Sequence, residues 1–404
     1  MRSSVYGWAS LSLVLLHAGC TFYTACPAGN GNGNAPTGTA GTDNAGGAND
    51  VGGTMNNGGG SGGTGGTGAL PLPEGTWVTA TSNLAHQPSE CGNLSFATAK
   101  PDEDLILMGV AQHGLWGSRD GGDSWEQLGS KDDPEPITNR VTYVVFDPDD
   151  TDTFWESGIY NATGIFKTTD DGATFSPMHI THNDFVSVDF TDPKRKTLLA
   201  SGHEQIHKLY LSEDGAETWN EIGDFIPDEP LVCGFPYIID TKTFLLGCGS
   251  YGGGEQGVWR STDAGKSWNK VSDVGGGSAP LMTSDGTLYW ASEGTVGMAR
   301  SKDQGETWSD ALGANLVSTP GARNNPWEMP DGRIAAISKE SIIISDDEGE
   351  TWKPASPALP YEPVGFFYSK YQKAFFIYRI TCGVGTDAVP ANGIMRFDFD
   401  YETD

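Results

Sequence analysis

Positive charge is scarce in this sequence of 404 residues. Lysine and arginine together number 24, against 53 aspartate and glutamate residues, so the formal net charge is −29. Nucleic-acid-binding proteins present a basic patch or stripe, and anionic membrane surfaces attract basic segments. We therefore expect neither nucleic acid nor a bare membrane surface as a partner.

Large apolar side chains are almost absent between Asn30 and Gly68, where glycine, asparagine and threonine dominate. Such a segment buries too little apolar surface to offset its chain entropy. Residues 20–72 are therefore predicted to form a disordered linker. Nearly all the large apolar residues lie in residues 73–404, which show no helical periodicity and form the predicted folded domain.

The N-terminus combines Arg2 with a short apolar run, residues 11–16, that cannot span a bilayer. The string Leu16-His17-Ala18-Gly19-Cys20 resembles the lipobox of bacterial lipoproteins. The resemblance implies a signal peptide over residues 1–19 and lipidation of Cys20. It also implies export to the outer membrane or cell surface, with ordinary secretion as the alternative and membrane contact only through the lipid.

One octapeptide, Ser/Thr-x-Asp-x-Gly-x-Thr/Ser-Trp/Phe, recurs six times, and in the third copy the glycine stands one place early. Its aspartates are spaced 50, 44, 49, 40 and 44 residues apart, and they are Asp120, Asp170, Asp214, Asp263, Asp303 and Asp347. Repeats of this period are typical of propellers, in which each unit is one blade. The aspartate is expected to accept backbone hydrogen bonds in a tight turn.

These repeats resemble the Asp boxes (BNR repeats) of sialidase-like propellers, sortilin-type domains and family 74 glycoside hydrolases, over about residues 75–404. The resemblance implies an all-β fold in which each box joins the third and fourth strands of a blade, on the face away from the functional site. The six boxes are accordingly assigned a structural role.

Six boxes and the flanking strand signals predict seven blades. Three β-rich runs follow the last box, residues 365–368, 374–378 and 393–397, and then the chain ends. The segment around Trp77 matches the segment around Trp352, so an N-terminal strand is expected to complete the seventh blade. This closure would remove the open sheet edge.

Four cysteines lie in the predicted folded domain. Cys233 and Cys248 lie symmetrically about a predicted hairpin turn in blade 4, and Cys91 and Cys382 flank the predicted seam. In an exported protein we expect the disulfides Cys233–Cys248 and Cys91–Cys382, with four free buried thiols as the alternative.

Histidines are concentrated in the first three blades. The six beyond the signal segment are His86, His113, His179, His182, His203 and His207. All are predicted in or near loops on the face opposite the boxes. Imidazole serves as a general base near neutral pH. The candidate catalytic residues are His113, His182, His203, His207, Tyr160 and Arg140, which together offer a base, a proton donor and a group to neutralise a uronate carboxylate. Local hydrogen bonding in polar loops is the alternative.

Further side chains near the same face are candidates for ligand binding: Trp155, Asn161, Asp184, Glu204, Tyr251, Trp290 and Trp327. Aromatic rings stack on sugars and anchor peptides, although packing between blades is the alternative for these rings. No cofactor motif is found and no cofactor is expected, with a metal ion held by the histidines as the alternative.

The resemblance does not extend to the catalytic motifs of the related enzymes. The Arg-Ile-Pro element of sialidases is absent, and residues 110–114 lack the aspartate that family 74 hydrolases carry at the corresponding strand. We expect a monomeric, surface-anchored propeller that binds a glycan or a protein on the cell surface. The alternatives are a polysaccharide lyase or glycoside hydrolase that uses the histidines, so whether the protein is an enzyme stays open, and an envelope assembly factor.

Overall fold

The computed structural model describes residues 71–90, 94–131, 133, 135–160, 163–249, 254–292, 297–310, 325–381 and 387–403. These residues all belong to one compact unit, Leu70–Asp404. The predicted signal peptide, Cys20 and the linker up to residue 70 lie outside the described residues, as do Cys91 and Cys382. Among the described residues, no helix has the length and apolar character needed to cross a membrane.

The described chain forms seven antiparallel sheets of four strands each, together with two single-turn 3₁₀ helices, Ser82–Leu84 and Gly223–Phe225. The first strand, β1, is Val78–Thr79. Blade 1 contains β2 (Leu94–Ala99), β3 (Ile106–Val110), β4 (Leu115–Ser118) and β5 (Glu126–Gln127). Blade 2 contains β6 (Arg140–Asp147), β7 (Asp150–Ile159), β8 (Ile165–Thr168) and β9 (Ser176–Pro177). Blade 3 contains β10 (Asn183–Val188), β11 (Leu198–Gly202), β12 (Leu209–Ser212) and β13 (Asn220–Glu221).

The remaining blades repeat this order. Blade 4 contains β14 (Phe235–Ile238), β15 (Phe244–Cys248), β16 (Gly257–Ser261) and β17 (Asn269–Ser272). Blade 5 contains β18 (Leu281–Met282), β19 (Leu288–Ala291), β20 (Met298–Ser301) and β21 (Ser309–Asp310). Blade 6 contains β22 (Trp327–Glu328), β23 (Ile334–Ile337), β24 (Ile342–Ser345) and β25 (Lys353–Pro354). Blade 7 contains β26 (Gly365–Ser369), β27 (Ala374–Tyr378), β28 (Ile394–Asp398) and β1. The predicted seven-bladed propeller is confirmed.

The ring closes as the sequence predicts. Strand β1 pairs with β28 in antiparallel register, Val78 opposite Arg396 and Thr79 opposite Met395. The Ala80 N–H then donates to the Ile394 carbonyl at 3.0 Å. Trp77 packs on Phe397 with ring centroids 5.6 Å apart. The last sheet edge is therefore covered by the beginning of the same domain.

The first strand of each blade faces the central axis, since β2 packs against β6 and β26, and β10 packs against β6 and β14. Antiparallel order then sends the loops between second and third strands, and the connections between blades, to one end of the ring. We call this end the upper face. The turns between first and second strands and between third and fourth strands lie at the other end, the turn face.

All six octapeptides adopt one hydrogen-bonded turn. In the first, the Asp120 carboxylate accepts the Ser124 N–H at 2.9 Å and the Ser118 hydroxyl at 2.8 Å. The Ser118 oxygen in turn accepts the Gly122 N–H at 2.9 Å. Equivalent bonds from a backbone N–H to the aspartate are made at Asp170, Asp214, Asp263, Asp303 and Asp347. The third copy differs because Ala216 takes the place of glycine with a φ of 70°.

The core lies between neighbouring blades. Phe154, Phe166 and Phe175, for example, are fully buried against Leu107 and Val141 at the junction of blades 1 and 2. A disulfide joins Cys233 to Cys248 beside the blade 4 hairpin, as the sequence predicts.

Candidate functional site

The upper ends of blades 2 and 3 bring together three side chains that the sequence singles out. Tyr160 follows β7, His182 precedes β10 and His203 follows β11. The ring centroids of Tyr160 and His182 are 5.5 Å apart, those of Tyr160 and His203 5.2 Å, and those of the two histidines 4.8 Å. We call these residues, with Asp184 and Glu204, the Tyr160 cluster. The predicted grouping of histidines is therefore found for two of the six.

A chain of hydrogen bonds runs through the cluster. His203 Nδ1 lies 3.0 Å from Asp184 Oδ1, and His203 Nε2 lies 3.2 Å from the Tyr160 hydroxyl. An ionised carboxylate only accepts hydrogen bonds, so Nδ1 carries the imidazole proton and, in the neutral ring, Nε2 accepts from Tyr160. The proton positions follow from this network. The arrangement gives the tyrosine hydroxyl a base, and gives that base a carboxylate that orients it.

His182 is held in the opposite tautomer. Its Nδ1 accepts the backbone N–H of Tyr160 at 3.2 Å, so the neutral ring carries its proton on Nε2. Burial, together with the neighbouring His203, lowers the pKa of His182 below its ordinary value. His182 is therefore a neutral hydrogen-bond donor near neutral pH.

Tyr160 is a neutral phenol in this environment. Burial raises the pKa of Tyr160 to about 12, although the charge of Arg140 acts in the opposite direction. The guanidinium carbon of Arg140 lies 5.2 Å from the centre of the Tyr160 ring. Tyr160 therefore keeps its proton until a neighbouring group removes it.

The role predicted for Arg140 needs correction. Its side chain is 4% exposed, and its Nη2 lies 2.8 Å from Glu90 Oε2. A buried guanidinium already paired with a carboxylate does not present its charge to a uronate. Arg140 instead packs against Tyr160 and holds the position of its ring.

Three members of the cluster have left-handed backbone conformations. The φ angles are 71° at Tyr160, 63° at His182 and 52° at Glu204. A side chain in this region costs about 1–2 kcal/mol, and such residues collect at functional sites. The His203 N–H donates to the His182 carbonyl at 3.0 Å and helps to hold this geometry.

A buried polar layer lies beneath the cluster. Glu156 and Asn139 are fully buried, and Asn139 Nδ2 donates to Glu156 Oε2 at 3.3 Å and to the Thr163 carbonyl at 3.1 Å. Burial raises the pKa of Glu156 well above its usual range. Apart from Arg140 Nη2, which is ion-paired with Glu90, five buried atoms of these residues and their neighbours have no hydrogen-bond partner among the described residues: Asn139 Oδ1, Arg140 Nε, Glu156 Oε1, Asn183 Oδ1 and Asp184 Oδ2. Blades 2 and 3 therefore carry a group of buried polar side chains directly next to the cluster.

The sequence interpretation missed Glu156, although a signal was present. Residues 154, 156 and 158 point to one face of β7, and two of them, Phe154 and Gly158, suit a buried junction between blades. A carboxyl group at the middle position is therefore expected in the core. A prediction based on loops does not include Glu156, because it lies inside strand β7.

The remaining candidates lie elsewhere. His207 Nε2 lies 2.6 Å from the Pro230 carbonyl. Among the described residues, no hydrogen bond or ring contact joins the side chain of His113 or His207 to the cluster. Asn161 and Tyr251 lie outside the described residues.

The predicted binding aromatics also need correction. Trp155 and Trp290 are only 1% and 0% exposed, so they belong to the core and present no ring face to a ligand. Trp327 lies in the innermost strand of its blade and borders the central channel. There a cavity of about 520 Å³ is lined in part by Tyr143, Trp327 and Tyr368, and its other lining residues include turn-face residues such as Pro330 and Lys370.

The carboxylates best placed for a metal ion lie on the turn face. Among the described residues these are Glu103, Asp152 and Asp171. Lys100 Nζ already contacts them at 2.7, 2.5 and 2.9 Å, and the lysine side chain is only 1% exposed. An ammonium group occupies this position, so we assign no metal to it.

No protein-family model matches the chain, and no curated protein sequence matches it. Among solved structures, it is similar to the GH74 xyloglucanase from Xanthomonas campestris, with a TM-score of 0.51 and 16% identity, over 79% of this chain and 55% of that one. It is also similar to the extracellular domain of the putative one component system BT4673 from B. thetaiotaomicron, with a TM-score of 0.50 and 11% identity, over 80% and 40% of the two chains.

YCF48 from Cyanidioschyzon merolae aligns over 82% of this chain and 100% of its own, with 14% identity and a TM-score of 0.49. The chain spans about half the length of the xyloglucanase that it matches. At these identities the likeness to the xyloglucanase and to the BT4673 domain shows the fold alone.

Proposed function

We propose that this protein is an exported, monomeric propeller that binds a glycan at the Tyr160 cluster on its upper face. The observation that carries the proposal is the convergence of Tyr160, His182 and Glu204, partly exposed polar side chains that left-handed backbone holds at the ends of adjacent strands. A fixed set of hydrogen-bond donors and acceptors suits the hydroxyl groups of a sugar. The xyloglucanase among the similar structures acts on a polysaccharide, which supports a glycan over other ligands.

The location is part of the same proposal. We assign the six turns to the Asp-box repeat and Cys20 to lipidation, with the linker as a tether to the cell surface. The Cys233–Cys248 disulfide supports export, because such bonds persist in oxidising compartments.

The binding proposal is tested with the purified full-length protein and a panel of polysaccharides, by affinity electrophoresis or calorimetry. Tyr160→Ala is expected to weaken binding at least about tenfold, because buried aromatic anchors dominate such sites. Tyr371→Ala is the matched control, since Tyr371 is 45% exposed and lies on the turn face. Unchanged binding by Tyr160→Ala would contradict the proposed site, and capture of a protein without any glycan affinity would favour the assembly-factor alternative.

A second candidate function, glycan cleavage, is favoured by the hydrogen-bonded chain from Asp184 through His203 to Tyr160. When His203 accepts the tyrosine proton, the Asp184 carboxylate stabilises the imidazolium and the Tyr160 oxygen becomes a base. In a lyase this oxygen would take the proton next to the uronate carboxyl group. The electron pair would form a carbon–carbon double bond and expel the glycosidic oxygen, which would take the proton that His203 accepted from Tyr160.

Cleavage is measured as the release of new reducing ends and as ultraviolet absorbance of an unsaturated product. Tyr160→Phe keeps the ring and removes the hydroxyl group, so it is expected to abolish cleavage while binding is largely retained. Activity that survives in both Tyr160→Phe and His203→Ala would exclude this mechanism.

A further inference from the structure

We infer that the Tyr160 cluster selects a glycan that carries positive charge, a polymer of 2-amino sugars, over neutral and uronate-bearing glycans. This inference rests on the glycan-binding function proposed above and adds the substrate class. It is carried by the carboxylates around His203 and by the lack of an available cation beside them among the described residues.

Two carboxylates flank the imidazole of His203. Asp184 Oδ1 lies 3.0 Å from Nδ1, and Glu204 Oε1 lies 3.8 Å from Nε2. A third carboxylate, Glu90, is joined to Arg140, which is the cation closest to the cluster in the described contacts. With the histidines counted as neutral, three carboxylates face one guanidinium. The Arg140 guanidinium is already paired with Glu90, so the accessible part of the cluster carries a negative charge.

Asp184 supplies an observation that is independent of this count. Its side chain is only 8% exposed, and its Oδ2 has no hydrogen-bond partner among the described residues. A buried carboxylate with one unpartnered oxygen is costly, and a positive charge brought to within a few ångströms lowers that cost. The unpartnered oxygen belongs to the same carboxylate that bonds to His203 through Oδ1.

Each accessible group of the cluster can bind a different part of an amino sugar. The Glu204 carboxylate, 29% exposed, would accept hydrogen bonds from a sugar ammonium group. The neutral His182 offers its Nε2–H, and the Tyr160 oxygen offers a lone pair, to the neighbouring hydroxyl groups. A uronate would instead bring a further negative charge next to Asp184 and Glu204, which is unfavourable, so this inference also counts against the lyase alternative.

The inference is tested by calorimetry with three ligands. Two of them share one backbone: oligosaccharides of β-1,4-linked glucosamine and their N-acetylated, uncharged counterparts. The third is an oligogalacturonate, which is anionic. The protein is the purified full chain near neutral pH, at which part of the sugar amines is protonated and the charge count above applies. Glu204→Gln is expected to weaken binding of the amino oligosaccharide about tenfold, the usual effect of losing a charge-assisted hydrogen bond.

Glu217→Gln is the matched control. Glu217 is exposed in the octapeptide turn of the same blade, on the turn face, so this variant changes the net charge by the same amount. The inference is supported if the amino oligosaccharide binds more tightly than its acetylated form and only Glu204→Gln weakens it.

Three outcomes count against it in different ways. Equal binding of the charged and acetylated forms overturns the charge selectivity and leaves the proposed function standing. Equal losses in Glu204→Gln and Glu217→Gln assign the attraction to the overall charge of the protein and also overturn the inference. If no glycan binds at all, the proposed function fails together with it.

Discussion

At the scale of single residues, the neighbouring hydrogen-bonding groups determine which ring nitrogen of each histidine in the Tyr160 cluster carries the proton. A carboxylate cannot donate, so Asp184 fixes the proton of His203 on Nδ1. The backbone N–H of Tyr160 fixes the proton of His182 on Nε2. The two histidines, whose rings are 4.8 Å apart, are therefore in different tautomers. His203 is buried and held by Asp184 and Tyr160, whereas the partly exposed His182 offers a donor to a ligand.

Residue-scale constraints of another kind act in the octapeptide turns. Gly305 has a φ of 77°, and a Cβ atom placed on it would lie 2.6 Å from Leu245 Cδ2. Gly215 has a φ of 85°, but nothing lies within 4 Å of its Cβ position. The first glycine is favoured by both conformation and space. At the position of Gly215 four of the other copies carry Asp171, Ala264, Gln304 and Glu348 with φ of 57–60°, so a side chain is tolerated there at the cost of backbone strain.

We predict that Gly305→Ala lowers the free energy of unfolding by about 2–4 kcal/mol, from backbone strain plus overpacking against Leu245. Gly215→Ala has strain alone and is expected to cost about 1 kcal/mol. Urea denaturation of the two variants and the wild type provides the comparison. Equal losses in both variants would show that contact with Leu245 does not matter.

At the scale of structural elements, the blades are joined through buried contacts on both faces of each sheet. This explains which predictions from the sequence succeeded. The strands and the closing segment around Trp77 could be predicted, because the octapeptide fixes where each third strand ends and each fourth begins. The sequence could not predict which side chains of a strand face the core and which face a ligand. Alternation of apolar and polar residues is informative only when one face of a sheet is exposed to water.

Trp155 and Trp290 illustrate this limit. Both lie in second strands with buried neighbours on either side, so nothing in the local sequence separates a core ring from a ligand-binding ring. Tyr160, His182 and His203 could be predicted because polar residues at strand ends fall in loops on one face. The pairing of Arg140 with Glu90 depends on residues 50 positions apart, which no local pattern reveals.

The six turns also predict a dependence of stability on pH. Hydrogen bonds from the Thr351 hydroxyl and backbone N–H lower the pKa of Asp347, and those from Thr218 lower the pKa of Asp214 to about 2. In the unfolded chain an aspartate titrates near about 3.9. A carboxylate whose folded pKa is depressed stabilises the fold above its unfolded pKa, and this contribution is lost as the pH falls through the folded pKa.

The prediction is tested with two neighbouring substitutions. Asp347→Asn is expected to lower the urea midpoint at neutral pH, and the difference from the wild type should shrink as the pH is lowered from about 4 towards 2. Asp346→Asn removes an exposed carboxylate that accepts none of the bonds of this turn, and it should stay close to the wild type. If the difference in urea midpoint between Asp347→Asn and the wild type does not change with pH, the lowered pKa of Asp347 is not the source of its stabilising effect.

At the scale of the whole molecule, the ring brings together side chains from the upper ends of strands in successive blades. Arg140 and Asp184 both lie at the upper ends of inner strands, in blades 2 and 3. One packs against Tyr160 and the other bonds to His203, so the junction of two blades forms a site that neither blade has alone. The remainder of the ring holds these two blades in a fixed relation, which is the condition for a preorganised site.

The central claim is that the Tyr160 cluster is where a glycan binds, and the histidines allow it to be tested directly. The side-chain signals of the six histidines beyond the proposed signal peptide are followed by NMR while a binding polysaccharide fragment is added. Shifts of His182 and His203, with His113 and His207 unchanged, are the result that we predict. Binding that leaves His182 and His203 unperturbed would place the ligand elsewhere and contradict the account.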